Sequence, residues 1–305
     1  MDPLGELVKN SDVQAFLIYL ETGRKVRFSP SLEEKSNYVG ESPPPLTLLP
    51  ESLRRPVFDS CEAEGITLTN MSGKTPDPET LLGWPLDWNL CSDQPTVLIL
   101  HTHATESYTK SGESYRETAA YRTLSEEHNM LSIGDRVAEM LSERGIFVIH
   151  DRELHDYPSY NGSYNHARKS SEYYLSRYPS IQLVLDLHRD AAGEGDAQLR
   201  TLAQVAGESA AQLMLVVGTD GAGLHHPNWQ ENMALALKIQ LQLERIAPGI
   251  TRPINLRSQR FNQDLSPGAL IVEVGAAGNT RAEALRAAEV LAEAVVALAK
   301  GAETN

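Results

Sequence analysis

The chain is poor in cysteine, in basic side chains and in long apolar runs. It has 2 cysteines in 305 residues, Cys61 and Cys91. Two cysteines leave room for one disulfide but no disulfide framework, and their spacing is not that of a zinc ribbon. Wholly apolar stretches are short, such as Val97 to Leu100 and Leu213 to Val217, whereas a bilayer span needs about 20 mostly apolar residues. The opening Met1-Asp2-Pro3-Leu4-Gly5-Glu6 carries neither the basic nor the apolar part of a secretory leader. Lys and Arg number 27 against 41 Asp and Glu, a net charge of −14. That balance argues against a nucleic acid as the main partner, because gripping phosphates needs a basic footprint. No P-loop and no G-x-G-x-x-G occurs, so nucleotide binding is unsupported. Neither Ser107 nor Ser114 sits in a nucleophile elbow, and no repeats are evident.

What is present is an ordinary globular composition, 41% apolar and 22% charged, which excludes a mostly disordered chain. Residues 1–95 differ in texture from the rest. Pro43-Pro44-Pro45 cannot continue a helix or a central strand, and further prolines follow at Pro50, Pro56, Pro76, Pro78, Pro85 and Pro95. This part reads as a small irregular region or linker, with short strands expected at Phe16 to Tyr19 and Ile66 to Thr69. From residue 96 to about 300, apolar β-type runs alternate with helical patterns. The strands expected are Val97–Leu100, Phe147–Ile149, Leu183–Leu187, Leu213–Val217 and Leu270–Val272. Met130, Ile133, Val137, Met140 and Leu141 mark a helix between Ser125 and Gly145, and Met233, Leu237, Leu241 and Ile246 mark a second. Thr280 with Glu283 reads as a capping box opening a third, which runs to about Ala299. Alternating βα units with nearly continuous apolar strands imply a mainly parallel twisted sheet with helices on both faces.

In such a sheet, ligands bind beyond the carboxyl ends of the strands. His101-Thr102-His103 follows the strand of Val97, His188-Arg189-Asp190 follows that of Leu183, and Glu273 lies inside Leu270-Ile271-Val272-Glu273-Val274. Imidazoles and carboxylates are thus expected at one edge. Zn²⁺ takes such ligands tetrahedrally, keeps an open position for water, and lowers the pKa of that water. Two His, one Glu ligand and a second Glu as general acid/base complete the kit. Taken singly, each piece has a plainer reading. His-x-His in an extended segment, with both rings on one side, is often merely solvated. His188 fits a hydrogen-bonded loop, and Glu273 a salt bridge to Arg260 or Arg189. His226, after the strand of Leu213, is expected near the same edge as a substrate contact or a simple loop residue. Tyr108 and Trp229 would stack on a sugar or peptide, or be core. Glu126 and Glu127 read as a solvated helix face, with a lesser claim as ligands. The acidic run from Glu283 to Glu293 reads as a solvated face too.

The segments Val97-Leu98-Ile99-Leu100-His101-Thr102-His103-Ala104-Thr105-Glu106-Ser107-Tyr108, Asp186-Leu187-His188-Arg189-Asp190-Ala191 and Phe261 to Gly275 with Asn279-Thr280 resemble the stage II sporulation protein P family. Val217-Gly218-Thr219-Asp220 and His226 to Asn232 resemble it as well, so the likeness covers roughly residues 96 to 300. It implies an N-acetylmuramoyl-L-alanine amidase-like fold and a zinc-dependent hydrolase of peptidoglycan. Such an enzyme cuts the muramoyl-L-alanine amide, and cross-links as well, during forespore engulfment. It implies a place outside the cytoplasm between the mother-cell and forespore membranes, a membrane tether that this chain does not display, and stage II sporulation proteins D and M as partners. Carried onto this sequence, His101 or His103 and His188 become metal ligands with Glu106 as the candidate carboxylate, and Glu273 the acid/base. In the wider amidase group the first ligand stands three residues past its strand, which favours His103. That group's Glu ligand opens a helix, which keeps Glu126 and Glu127 in play. Arg189 is then placed to hold substrate or the oxyanion. The rival readings are a non-catalytic peptidoglycan-binding scaffold on the same fold and another metal-dependent amide hydrolase such as a sugar deacetylase.

Overall fold

The computed structural model describes residues 26–28, 66–109, 121–191, 193–194 and 197–302. The strand expected at Phe16 to Tyr19, and Cys61, lie outside these residues; Cys91 is exposed. Among the described residues no helix is long and apolar enough to cross a membrane.

One sheet of eight strands organises the chain. Its centre is formed by β3 (Val97–Leu100), β4 (Val148–Asp151), β5 (Leu183–Asp190) and β12 (Ala269–Ala276), whose inner residues are buried apolar side chains on both faces. These four run parallel in the order β4-β3-β5-β12. Beyond β12 come β10 (Leu213–Val217), β11 (Ile254–Arg257) and β2 (Leu68–Met71), parallel to one another, and β10 is antiparallel to β12. At the other edge β1 (Val26–Phe28) lies antiparallel to β4. The sheet is mostly parallel but reverses direction once inside, between β12 and β10. Two short hairpins lie outside it, β6 (Gly193–Glu194) with β7 (Ala197–Gln198), and β8 (Leu202–Val205) with β9 (Glu208–Ala211). The second turns on Ala206-Gly207, both at positive φ, the backbone that a two-residue hairpin loop needs.

Helices cover both faces. In order they are α1 (Pro78–Leu82), α2 (Met130–Glu143), α3 (Ser163–Arg177), α4 (Trp229–Ile246) and α5 (Arg281–Ala302). The buried stripes of α2, α4 and α5 join Val97, Ile99, Leu185, Leu187, Val272 and Val274 in the main core. The opposite face packs Ala167 and Tyr174 of α3 on Leu98, Leu100, Ile149 and Val184. Residues 66–95, read from sequence as part of a linker, supply β2, α1 and the core side chains Ile66, Leu81, Trp88 and Leu90.

Local signals account for the helix ends. Asn129, not Ser125, caps α2 by accepting from the amide of Leu131, and Gly145 follows the helix at φ +83°. The capping box of α5 forms as expected. Glu283 N–H donates to Thr280 Oγ1, and Thr280 N–H donates to Glu283 Oε2. Glu283 is not a solvated residue: it is 3% exposed and also bonds Arg200 and Asn279. Glu289 and Glu293, further along the same helix, pair with Arg136 of α2 and with Arg144 just past its end.

Candidate metal and catalytic site

Side chains alternate across a strand, so the face of each site residue is set by its position. Asp186 and His188 of β5 point to the α3 face, opposite Leu185 and Leu187. Glu273 is the register partner of His188 on β12, so the imidazole and the carboxylate stand side by side on that face. Their two strands deliver them to the carboxyl ends of the parallel segment.

His103 reaches the same place from β3, and His101 does not. The strand ends at Leu100, and residues 102–105 form a turn rather than extended chain. Asp186 fixes that turn by accepting from the backbone N–H of Thr102 at 2.8 Å and from its hydroxyl at 2.6 Å. The two rings of His-x-His therefore part, contrary to the expectation that they share one side. His101, wholly buried, lies on the α2 face with Nδ1 3.0 Å from the Leu187 carbonyl and Nε2 2.8 Å from His150 Nε2. Both of its nitrogens have partners within the protein. His103 stands edge-on to His188, ring centroids 5.3 Å apart, and its Nδ1 is buried with no hydrogen-bond partner.

Two tyrosines complete the pocket. Tyr160 stacks on His103 at 4.6 Å with its hydroxyl 3.3 Å from Nε2, and Tyr164 meets the same ring edge-on. Tyr160 is 55% exposed, so it is the solvent-facing wall. The Arg122 guanidinium lies 4.8 Å from the centre of its ring.

Glu106 is held close by. Its carboxylate accepts from the Arg189 backbone N–H, lies 3.4 Å from Arg122 and 3.6 Å from the Arg189 guanidinium, and stands 3.8 Å from His188 Nδ1. Arg189 itself is 3% exposed, and its guanidinium donates to the carbonyls of Ser107 and Tyr121. It braces the loop rather than facing the pocket. Tyr108 belongs to the main core, donating its hydroxyl to the Val274 carbonyl. Glu126 and Glu127 are exposed, and Glu126 is tied to Arg152, which pairs with Asp135 of α2. The structure does not bring them to His103 and His188.

His226 and Trp229 are at the opposite edge. They follow β10, and β10 runs against β12: Met214 sits beside Glu273 and Val216 beside Ile271, so β10 leads away from the end of β12 that carries Glu273. The expectation that His226 shares the edge with His188 assumed a parallel strand and is corrected by this reversal. A cavity of about 350 Å³ bordered by Trp84, Trp88, Ile181 and Lys238 also lies at that far edge, before β5 and β12.

Electrostatics sharpen the picture. Burial pushes Glu273 up to about 8, with His188 pulling the other way. His188 is held up at about 10, against its own burial, by Asp186 and then Glu106. Its Nε2 is 2.9 Å from Asp186 Oδ1, yet no acceptor lies along the N–H direction. Burial drives His103 down to about 3. One face thus gathers a ring nitrogen of His103, Nε2 of His188 and Oε2 of Glu273, three buried polar atoms lacking a hydrogen-bond partner. Buried polar atoms are normally satisfied, so such a gathering marks a place built for something else. Imidazole and carboxylate are zinc-type donors, although among the described residues no three of these side chains bring ligand atoms within 4.8 Å of one another.

Sequence reasoning missed Asp186, Arg122, Tyr160 and Tyr164. A signal for the tyrosines exists in the segment after the strand of Phe147, where Tyr160-Asn161-Gly162 carries turn chemistry at the same edge.

Comparison with known proteins agrees with the resemblance read from the motifs. In the solved structures, an N-acetylmuramoyl-L-alanine amidase from Clostridium difficile 630 is 13% identical with a TM-score of 0.40, covering 68% of this chain and 98% of that one. The CwlD amidase from Clostridioides difficile, solved with the GerS lipoprotein, is 14% identical with a TM-score of 0.42, over 68% and 98%. Stage II sporulation protein P of Bacillus subtilis (strain 168) is 26% identical over 271 residues, 85% of this chain; the match spans 61% of that protein's length. The family model for Stage II sporulation protein P (SpoIIP) matches residues 47–296, and the chain belongs to that family.

Proposed function

We propose that the protein is a zinc-dependent hydrolase of peptidoglycan amide bonds, acting as a muramoyl-L-alanine amidase during sporulation. The observation that carries this is the placing of His103 against His188, and of His188 beside Glu273, on one face of the sheet, with buried polar atoms of all three lacking hydrogen-bond partners. Family membership supports it independently.

His103 and His188 would hold the ion, with Glu106, 3.8 Å from His188 Nδ1, as the nearest carboxylate outside the Asp186 anchor. When bound, zinc supplies a water of lowered pKa and polarises the scissile carbonyl. The protein's own part is proton handling and positioning. Without an ion, His188 is charged and Glu273 carries a proton at neutral pH, because two carboxylates and burial dictate both. A dication beside them inverts that logic: it favours neutral His188 and ionised Glu273. Glu273 Oε2 is then the base that accepts a proton and returns it to the leaving amine. Tyr160, half out in solvent with its ring between His103 and Arg122, offers its exposed edge to the substrate. Arg122, over that ring, adds positive charge at the rim of an otherwise acidic chain.

The reading extends to peptidoglycan as substrate, to a location between the two membranes of the sporulating cell, and to stage II sporulation proteins D and M as partners. The test is turnover of purified sacculi by the zinc-loaded protein and by its His188→Ala variant. Release of stem peptides by the first and not the second is expected. Sacculus binding that survives chelation, with no product, would give the scaffold reading instead. Acetate as the product would give the deacetylase.

A further inference from the structure

Asp151, Glu153 and His155 form a second group of metal-type donors that the proposed hydrolase does not use. Asp151 ends β4, and the other two come in the next turn. One ligand atom from each lies within 4.8 Å of the others. Asp151 is 0% exposed and His155 1%. Asp151 Oδ2 is 3.3 Å from His155 Nε2, yet neither atom has a hydrogen-bond partner, and neither does His155 Nδ1. Asp151 Oδ1, by contrast, accepts from the Glu153 amide at 3.1 Å. Asp151 Oδ2 and His155 Nε2 are therefore taken out of water facing each other as an ion pair without hydrogen-bond geometry, and Nδ1, on the other side of the ring, is buried with no hydrogen-bond partner. Burying such groups is unfavourable unless something pairs with them. A divalent cation between them would satisfy the carboxylate and one ring nitrogen at once.

The site is anchored from outside. His166 Nδ1 lies 3.0 Å from the His155 carbonyl, and the Ser170 hydroxyl reaches toward Glu153 at 3.5 Å. Both come from α3. One imidazole with two carboxylates is a borderline set that suits zinc or its transition-metal neighbours better than calcium or magnesium.

We propose that this turn binds a second, structural Zn²⁺, which holds the loop carrying the hydrolytic residues. The link is Asp156, next in sequence to His155. Asp156 accepts from the Thr105 amide and hydroxyl and pairs with Arg122, and Arg122 continues to Glu106. An ion fixing residues 151–155 fixes Asp156, and through it the segment between His103 and Glu106. The two ligand groups share no residue. The proposal stands whether or not the chain hydrolyses peptidoglycan.

The experiment is zinc stoichiometry. The full chain is stripped with chelator, reloaded with Zn²⁺, desalted and measured by elemental analysis, with circular dichroism to establish folding. The His103→Ala/His188→Ala double variant is expected to keep about one zinc per chain. Adding His155→Ala should weaken that binding by at least about tenfold. Should this triple variant not fold, Asp151→Asn in the same background keeps the volume, removes the charge and is expected to weaken zinc equally. A folded double variant without zinc overturns the proposal, as does zinc retained after His155 or Asp151 is replaced. If the wild type holds one zinc lost only with His188→Ala, this inference fails and the hydrolase reading survives. If it holds one lost only with His155→Ala, the reverse is true.

Discussion

Replacing Glu273 by Gln tests both the buried acid and its role. The carboxyl of Glu273 rises from 4.5 to about 8, first because burial penalises its charge. A carboxyl whose folded pKa is raised costs nothing at low pH, where it is protonated in both states. As pH climbs past 4.5, the unfolded chain ionises freely and the folded one does not. The cost grows up to about 8 and then levels. At about 1.4 kcal/mol per pH unit the full window amounts to roughly 5 kcal/mol, an upper bound, since solvent reaches part of the residue. Gln has nearly the same shape and no charge to bury. In chelator, therefore, the stability difference between Glu273→Gln and wild type should be small at pH 4.5. It should grow in favour of the variant by roughly 2–3 kcal/mol by pH 8. Urea unfolding at several pH values measures it. His188, whose pKa is raised, makes its own stabilising contribution, complete below 6.5 and lost as pH rises through about 10. It is present in both proteins, and the comparison largely removes it. A difference that stays flat with pH would show that Glu273 is not a desolvated acid. With zinc restored, the same variant should keep its metal and lose about 10²–10⁴ in turnover, the usual worth of a positioned acid/base. Normal turnover would sink its assigned role.

Other perturbations read the scaffold. Gly134→Ala puts a Cβ 2.4 Å from His150 Nε2 and 2.6 Å from His101 Nε2. Overpacking of this kind costs about 1–3 kcal/mol and outweighs the helix-propensity gain of about 1, so thermal unfolding should show a destabilised protein. Asp156→Asn leaves Arg122 and Thr105 with a weaker acceptor; a loss of about 1–3 kcal/mol is expected, and faster amide exchange at Thr105 checks where it falls. His226→Ala and Trp229→Ala lie at the far edge and should leave sacculus turnover unchanged, as steady-state assay of each would show.

The strands were legible because burial on both faces writes them as unbroken apolar runs. Val97–Leu100 and Leu213–Val217 are found where the composition puts them. Their direction was not. An apolar run looks the same whichever way it crosses the sheet, and only the pairing of Leu213 with Val274 shows that β10 is reversed. That single sign decides which edge His226 occupies. β11 escaped detection because Ile254-Asn255-Leu256-Arg257 is short and buries only alternate residues. In the site, Glu273 and His188 stood out as polar residues in apolar strands. Asp186 has the same signature, in Leu185-Asp186-Leu187, but its partner Thr102 is 84 residues distant and no local pattern joins them. Tyr160 and Tyr164 carry no strand signal at all. They reach His103 only because α3 folds back across β4 and β3.

The divergence of the two histidines also bears on what keeps this loop in place. His101 Nδ1 faces the Leu187 carbonyl, the two Nε2 atoms face each other, and His150 Nδ1 faces the Asp135 carboxylate at 3.1 Å. The carbonyl cannot donate, and an ionised carboxylate cannot either, so three contacts need three protons on two rings. Burial, reinforced by the neighbouring His150, drives His101 down to about 3. It would leave two protons, and one contact would then set lone pair against lone pair. A proton shared across the pair removes the conflict, with Asp135 as counter-charge. Asp135 is suited to that role: its bonds to His150 and Arg152 outweigh burial and hold it well below the usual carboxylate range. His101 then works as a buried peg under β3, sealed by the glycine of α2 and fixed before the turn begins. His103, two residues on, is free to face the other side because its neighbour Thr102 is pinned by Asp186. The short His-x-His thus divides into an anchor and a candidate ligand, and the division is enforced by hydrogen bonds on opposite faces of one strand.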